Sequence, residues 1–227
     1  MGGPRVKCLI FVGTVLLSAV GGCSGGGGED GGEGRTTDTG VRVVHAALDV
    51  EPVDLRLTDV PLQRARYADV TNFIPFEKGA QTLILDRANA LGTTVANVPA
   101  TLEKKVEYTL FMFGRAGRGT FNVALLADPV ERPKTGRSRV QLLHGFEGRG
   151  PLNGSVGGVS LPAAVFSKAG GFVEVASGPS TITITDDDGR TVATVATELA
   201  DRGELTVLVA GATDLGLSFV RLFNDLD

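Results

Sequence analysis

The residues best suited to do chemistry are two histidines and the polar side chain that follows each of them. His45 and His144 are the only histidines in the 227 residues, and each ends a run rich in apolar residues. Asp54 follows His45, and Asn153 follows His144, at the same spacing of nine residues. An imidazole oriented by a carboxylate serves as a general base in hydrolases, and imidazole is also a common metal ligand. His45 and Asp54 are therefore the residues from which an enzymatic interpretation starts.

The pattern around each histidine favours a structural role instead. Alternate side chains of a strand share a face, so His45 would lie with Val41 and Val43, and His144 has the same setting. A histidine on an apolar face is usually a core residue whose ring nitrogens bond nearby backbone or a carboxylate. We therefore predict structural roles for His45, Asp54, His144 and Asn153, in which Asp54 is a candidate to orient the His45 ring. The sequence predicts no catalytic residue and no metal ligand.

Three other stretches depart from known catalytic or binding motifs. Residues 153–157 fall one residue short of the Gly-x-Ser-x-Gly turn of hydrolases. Residues 186–189, Asp-Asp-Asp-Gly, lack the glutamate that completes an EF-hand and are better interpreted as a hairpin turn, with weak calcium binding as the alternative. Residues 115–119 lack the lysine and spacing of a phosphate loop. We expect no cofactor.

The elements that must position these residues are short strands in two copies of one unit. The 32 glycines, the absence of Trp and the abundance of Val and Thr favour an all-β protein. Residues 41–46 return as residues 140–145, and the same offset of 99 pairs Gly79 with Gly178. Beyond a loop that is two residues longer in the first copy, the offset becomes 97. Agreement of apolar, glycine and turn positions in order indicates an internal duplication.

Each copy shows about seven strand-like segments at the spacing of a β-sandwich. The sequence therefore predicts an all-β protein with two tandem Ig-like antiparallel β-sandwich modules. They would span residues 41–128 and 140–227, joined by a proline-containing linker at residues 129–139. The alternative is one larger sandwich in which the two copies share strands.

The N-terminal residues predict export and lipidation. Residues 1–22 combine Arg5 and Lys7 with an apolar stretch too short to span a bilayer, which is typical of a signal peptide. The signal ends at Cys23 in a stretch that resembles the bacterial lipobox, so Cys23 is predicted to carry acyl chains such as palmitate. Residues 23–40 would form a Gly-rich tether. Ser24 at the next position favours the outer membrane or cell surface over the inner membrane.

The net charge and the cysteine content limit the classes of partner that the protein could bind. The net charge of −4 becomes −4 − 2 = −6 once Arg5 and Lys7 leave with the signal, which argues against nucleic-acid binding. Removal of the signal also removes Cys8, so Cys23 would have no second thiol with which to form a disulfide. We expect the lipid anchor to bind the membrane and the modules to contact an envelope or extracellular protein or polysaccharide.

Three segments resemble the family of bacterial exported proteins known as domain of unknown function 4397. Its members tend to open with an Arg-Val-Val-His-Ala strand, seen here at residues 42–46. They continue with a Pro-x-Val-Asp-Val segment, similar to residues 51–55, and with an aromatic strand that leads into a glycine turn, similar to residues 67–76 and Gly79. The resemblance covers most of residues 41–146 and continues more weakly in the second copy, where Asn153 replaces Asp54. It implies a fold and an exported location, and it implies no activity.

These observations favour a non-enzymatic lipoprotein of the cell envelope. Its tandem modules would act in binding, adhesion or envelope structure. The alternative is a hydrolase or metal-dependent enzyme that acts on cell-wall or extracellular polymers through His45 and Asp54.

Overall fold

The computed structural model describes residues 39–57, 60–130 and 132–224, and within them almost every ordered element is a β-strand. The predicted signal peptide, Cys23 and most of the predicted tether lie outside the described residues. Two single-turn 3-10 helices, Ala116–Arg118 and Thr213–Leu215, are the exceptions. No helix of the described part of the chain is long and apolar enough to cross a membrane.

Sixteen strands are formed by the described residues, eight in each module. The strands of the first module are β1 (Thr39–His45), β2 (Val53–Leu57), β3 (Val60–Ala65), β4 (Ile74–Phe76), β5 (Gly79–Arg87), β6 (Thr94–Leu102), β7 (Val106–Phe113) and β8 (Asn122–Pro129). Those of the second are β9 (Arg137–Glu147), β10 (Leu152–Val156), β11 (Val159–Ala164), β12 (Val173–Ala176), β13 (Gly178–Thr185), β14 (Thr191–Leu199), β15 (Glu204–Ala212) and β16 (Leu217–Asn224).

Each module is a sandwich of two four-stranded sheets. In the first module the strand orders are β4-β1-β7-β8 and β3-β2-β5-β6, and the second module repeats both orders with β12-β9-β15-β16 and β11-β10-β13-β14. The prediction of an all-β protein with two sandwich-like modules is confirmed. The same strand order in both halves is what a duplication predicts.

The immunoglobulin-like, wholly antiparallel arrangement that the sequence predicted is wrong. Immunoglobulin domains place seven or nine strands in sheets of other orders. Here each module has eight strands, and its first strand lies inside a sheet, parallel to the seventh: β1 pairs with β7, and β9 pairs with β15. The sequence pattern missed this because alternation reports which face of a strand is buried, and it is silent on pairing partners.

The core of each module fills the space between its two sheets. In the first module, apolar residues of β1 and β7 pack against those of β2 and β5, including Val43, Leu55, Leu85 and Leu110. In the second module the corresponding strands β9, β15, β10 and β13 form an equivalent core. Alternating side chains supply these cores, as expected of strands with one face toward a partner sheet.

A third apolar cluster joins the two modules. Val44, Phe111 and Phe113 from the first module pack against Leu143 and Leu208 from the second. Strands β1 and β9 are consequently buried along nearly their whole length, on both faces. The four sheets thus stack in layers, with β4-β1-β7-β8 and β12-β9-β15-β16 as the inner pair. Strand pairing in the described residues stays within each module, so the shared-strand alternative is wrong.

Candidate functional site

His45, the first predicted site residue, lies at the end of β1 with no solvent-exposed surface. Its Nε2 is 3.4 Å from the carbonyl oxygen of Glu51, and its ring packs edge-on against Tyr67 with centroids 6.4 Å apart. Burial lowers the pKa of His45 from the ordinary value of 6.5, so the ring is neutral at pH 7. Among the described residues its Nδ1 has no hydrogen-bond partner.

His144 holds the equivalent place in β9 and is equally buried. The backbone N–H of Phe146 donates to its Nδ1 at 3.1 Å, which leaves Nε2–H to donate to the Gly150 carbonyl oxygen at 3.0 Å. Burial lowers its pKa as well. Both ring nitrogens are therefore engaged with backbone, one with the end of β9 and the other with the loop that follows it, and neither is available to a metal ion.

Asp54 and Asn153 do not orient these rings. The Asp54 carboxylate forms a two-pronged ion pair with Arg64, at 2.7 and 2.9 Å, and accepts the backbone N–H of Asn89 at 3.3 Å. The hydrogen bond from Arg64 holds the pKa of Asp54 below its ordinary value. Asn153 is exposed on β10. The expected histidine–carboxylate pair is not brought together because the Asp54 side chain points to the solvent face of β2.

Acidic side chains of the hairpin tip at residues 186–189 are engaged by arginine residues of the same module. Asp186 accepts the backbone N–H of Arg190 at 2.8 Å and pairs with Arg149 at 3.2 Å, and Asp188 pairs with Arg190 at 2.9 Å. Gly189 adopts a positive φ of 77°, which suits the tight turn. Across residues 39–57, 60–130 and 132–224, no three His, Cys, Asp or Glu side chains are grouped to hold a metal ion.

One depression of about 650 Å³ lies on the outer sheet of the first module. It is lined by Leu57, Ala80, Gln81, Thr82, Ile84, Pro99, Ala100 and Thr101. This lining contains no ionisable side chain, so none of its residues can serve as a general acid or base.

The most concentrated charged cluster lies where the modules meet. Arg115, only 6% exposed, donates its Nε to the Glu147 carboxylate and its Nη2 to Asp214 at 2.9 Å. Arg118 reaches the same Asp214 at 2.5 Å, and the Thr120 hydroxyl donates to Glu147 at 2.7 Å. These bonds join the end of β7 and the loop before β8 to the end of β9 and the second 3-10 helix. We call Arg115, Arg118, Thr120, Glu147 and Asp214 the ionic clamp.

The opposite end of the same interface is polar and aromatic. Arg42 is buried in β1, where its guanidinium donates to Thr109 at 2.9 Å. That guanidinium lies 4.4 Å from the ring centroid of Phe73 in its own module and 4.7 Å from that of Phe223 in the other. Such cation–π contacts strengthen when they are removed from water. Arg42 thus bridges the modules at the end opposite the ionic clamp.

Aromatic contacts beside each histidine also cross the interface. Tyr67, which packs on His45, contacts Phe219 of the second module edge-on at 5.5 Å. Phe166, which packs on His144 at 5.9 Å, contacts Phe113 of the first module at 5.2 Å. Each histidine therefore supports an aromatic ring that holds the other module.

Sequence reasoning missed this interface and interpreted its residues differently. Residues 115–119, which were noted only as lacking the lysine and spacing of a phosphate loop, supply Arg115 and Arg118, and both pair with Asp214 across the interface. A sequence signal of the interface is the nearly continuous apolar character of residues 108–113, in which Thr109 is the one exception, since a strand buried on both faces loses its alternation.

The family model described as domain of unknown function 4397 matches residues 39–153, which is 115 of the 227 residues and includes the whole first module and β9. The search of curated proteins found no match. A crystal structure of a Bacteroides ovatus protein, provisionally described as a cell adhesion protein, is 9% identical and covers 84% of this chain and 96% of that chain. Its TM-score is 0.24, at which the likeness carries no argument.

Proposed function

Since this chain belongs to the family of domain of unknown function 4397, we propose that it is an exported, lipid-anchored protein of the cell envelope. Its two β-sandwich modules act together as one rigid body in binding or adhesion, and not in catalysis. The partner is an envelope or extracellular protein or polysaccharide that meets the loops and strand edges of this body. The modules are less suited to a flexible spacer.

The observation that carries this proposal is the inter-module interface. Its apolar middle, the ionic clamp at one end and Arg42 at the other fix one module on the next. Tandem domains joined by small polar contacts move independently by default, whereas a large apolar interface suppresses that motion. A rigid body loses little conformational entropy when it binds, so it suits presentation of a surface.

The use of ionisable side chains supports binding over catalysis. Both histidines are buried and neutral, and Asp54, Asp186 and Asp214 are engaged with arginines. An acid or base in a catalytic site must reach the substrate and exchange a proton with it. The described residues with shifted pKa values instead hold turns, sheets and modules in place.

The proposal of a lipid anchor is based on the sequence of residues 17–23. Substitution of Cys23 tests it. If Cys23 is acylated, Cys23→Ser will move the protein from the membrane fraction to the soluble fraction. Cys8→Ser is the matched control, because Cys8 would leave with the signal peptide, and it should not change membrane association. Retention of the Cys23→Ser variant in the membrane would contradict lipid anchoring.

Binding is tested with defined envelope fractions. The immobilised protein is incubated separately with purified outer-membrane vesicles, cell-wall polymer and capsular polysaccharide from its own host. We expect saturable retention of one fraction, and competition by soluble protein. If none of the fractions is retained above a control surface, the binding proposal fails.

The alternative, an enzyme that uses His45, is tested on the same polymers. Release of soluble fragments by the wild-type protein, lost in His45→Gln while the fold is intact, would replace binding with hydrolysis. We expect no fragment release from either protein and a lower melting temperature for His45→Gln, because the glutamine loses the packing of the imidazole against Tyr67.

A further inference from the structure

Edge strands expose backbone N–H and C=O groups that pair readily with a strand of another molecule, so most proteins protect them. The described residues form eight edge strands, two for each sheet. Five of the eight contain a proline, which cannot donate to an added strand. These prolines are Pro61 in β3, Pro75 in β4, Pro99 in β6, Pro129 in β8 and Pro162 in β11.

Among the three proline-free edges, β14 is the least protected. Strand β12 has four residues and includes Glu174, and β16 carries Arg221 in its middle. Strand β14 has nine residues, Thr-Val-Ala-Thr-Val-Ala-Thr-Glu-Leu, in which Glu198 near the end is the only charge. Its β-branched residues favour an extended backbone. Strand β14 therefore has the length and composition of a pairing strand.

The repeat shows which backbone groups β14 offers. Its counterpart β6 has Pro99 opposite Thr82, and β14 has Ala196 opposite Thr181 in the same register. A proline fits within a regular ladder only where the backbone nitrogen faces away from the neighbouring strand. Ala196 thus directs its N–H to the free edge, and so does Thr194, two residues earlier. At this position the second module has a backbone N–H donor on its free edge, and the first module, with Pro99, has none.

We propose that β14 pairs with β14 of a second copy of this chain. The two strands run antiparallel about a two-fold axis at Val195, so that Thr194 of each copy pairs with Ala196 of the other. A two-fold contact needs one surface only, because the same patch serves both copies. The pairing joins two outer sheets into one continuous eight-stranded sheet.

The charges of β14 fit a second copy as the occupant. In this register the two Glu198 side chains lie at opposite ends of the paired strands, and their like charges stay apart. Each Glu198 lies opposite Val192 of the partner strand, and Arg190 beyond it is already paired with Asp188 of its own hairpin. Like charges directly opposite each other disfavour a register, and this register places no such pair within β14.

Sedimentation velocity over a concentration series tests the pairing in the full chain carrying Cys23→Ser, which removes association through acyl chains. We expect a monomer–dimer equilibrium. Ala196→Pro removes one edge N–H from each copy and should weaken the dimer about tenfold to hundredfold, and the fold accepts proline at the equivalent Pro99. Thr194→Lys, which places two lysines across the axis, should weaken it to a similar degree without a backbone change.

Asn97→Lys is the matched control, because Asn97 in β6 is the counterpart of Thr194 and is also exposed. It should leave the dimer unchanged. A chain that stays monomeric at every concentration, or a dimer that Thr194→Lys does not weaken, would overturn the proposal. Equal weakening by Asn97→Lys, or open-ended oligomers in place of a dimer, would overturn it as well.

Discussion

At the scale of single residues, the alternation of apolar and polar side chains around His45 and His144 predicts the face of the strand on which each ring lies. That alternation predicted that each ring would face the interior of its own module, and the structure buries both. The alternation does not predict the carbonyl groups of Glu51 and Gly150, which come from loops that return to the rings. The face of a side chain follows from local periodicity, whereas its hydrogen-bond partner depends on the path of a loop.

Acid should destabilise the protein through these histidines. Their pKa values in the folded state are lowered from 6.5, so the unfolded chain binds protons first as the pH falls. Stability is therefore complete above pH 6.5 and declines below it, with a limiting slope of about 1.4 kcal/mol per pH unit for each histidine. Urea unfolding between pH 7.5 and about pH 5 measures this slope.

The double variant His45→Gln, His144→Gln is the reference for that slope. It should be less stable at pH 7 and nearly independent of pH in the same range. Asp54 and Asp214 have pKa values below the ordinary 3.8, so their stabilising effect is lost only at lower pH. A wild-type slope that survives in the double variant would assign the acid sensitivity to other groups.

Arg115 should be the most sensitive member of the ionic clamp. Arg115→Met keeps the length of the side chain but leaves the Glu147 carboxylate, which is mostly shielded from water, without its guanidinium. We expect a clear drop in the denaturant midpoint. The control is Arg87→Met, because the Arg87–Glu51 pair is exposed on both sides and should contribute little. Equal effects of the two variants would contradict a structural role for the clamp.

The ionic clamp could not be predicted from the sequence. Arg115 meets Glu147 and Asp214 across separations of 32 and 99 residues along the chain, and those contacts form only after the modules stack. Nothing in the local pattern of residues 115–119 distinguishes a clamp from a solvated turn. Long-range ion pairs depend on tertiary geometry, which local periodicity does not report.

At the scale of elements, the sequence predicted most strands and missed their arrangement. Residues 53–57 alternate apolar and polar side chains and form β2, as such a pattern predicts. The sequence predicted about seven strands per copy where the structure has eight: a single strand was expected over residues 67–76, of which only β4 is formed, and β3 at Val60–Ala65 was not predicted. The parallel pairing of β1 with β7 joins strands separated by five others, and hydrophobic pattern alone does not predict such a pairing.

Strand β9 has a glycine, Gly145, where it packs closely against the first module. A Cβ added at Gly145 would lie 2.9 Å from the Phe111 ring and 3.1 Å from the Ala46 side chain. We expect Gly145→Val to overpack the interface and lower the free energy of unfolding by about 1–3 kcal/mol. Urea titration measures the loss. Thr181→Val, at an exposed position of β13, should change it little and serves as the control.

At the scale of the whole molecule, neither module should be independent. A fragment of residues 39–130 would expose Val44, Phe111 and Phe113, which the second module covers in the intact chain. We expect this fragment to bind a hydrophobic dye and to self-associate, and an equimolar fragment of residues 137–227 should suppress both. A monomeric first fragment with native stability would show that the interface contributes little.

The stacked interface also changes how the duplication is understood. A single unit of this kind, with the same apolar inner sheet, would need a second molecule to cover that sheet, and its assembly would depend on concentration. Duplication within one chain places the two faces at a high effective concentration, set by the short connection between β8 and β9. Assembly then no longer depends on how many copies a cell makes, and each half is free to diverge. Pro99 in β6, where β14 has Ala196, is one such difference between the halves.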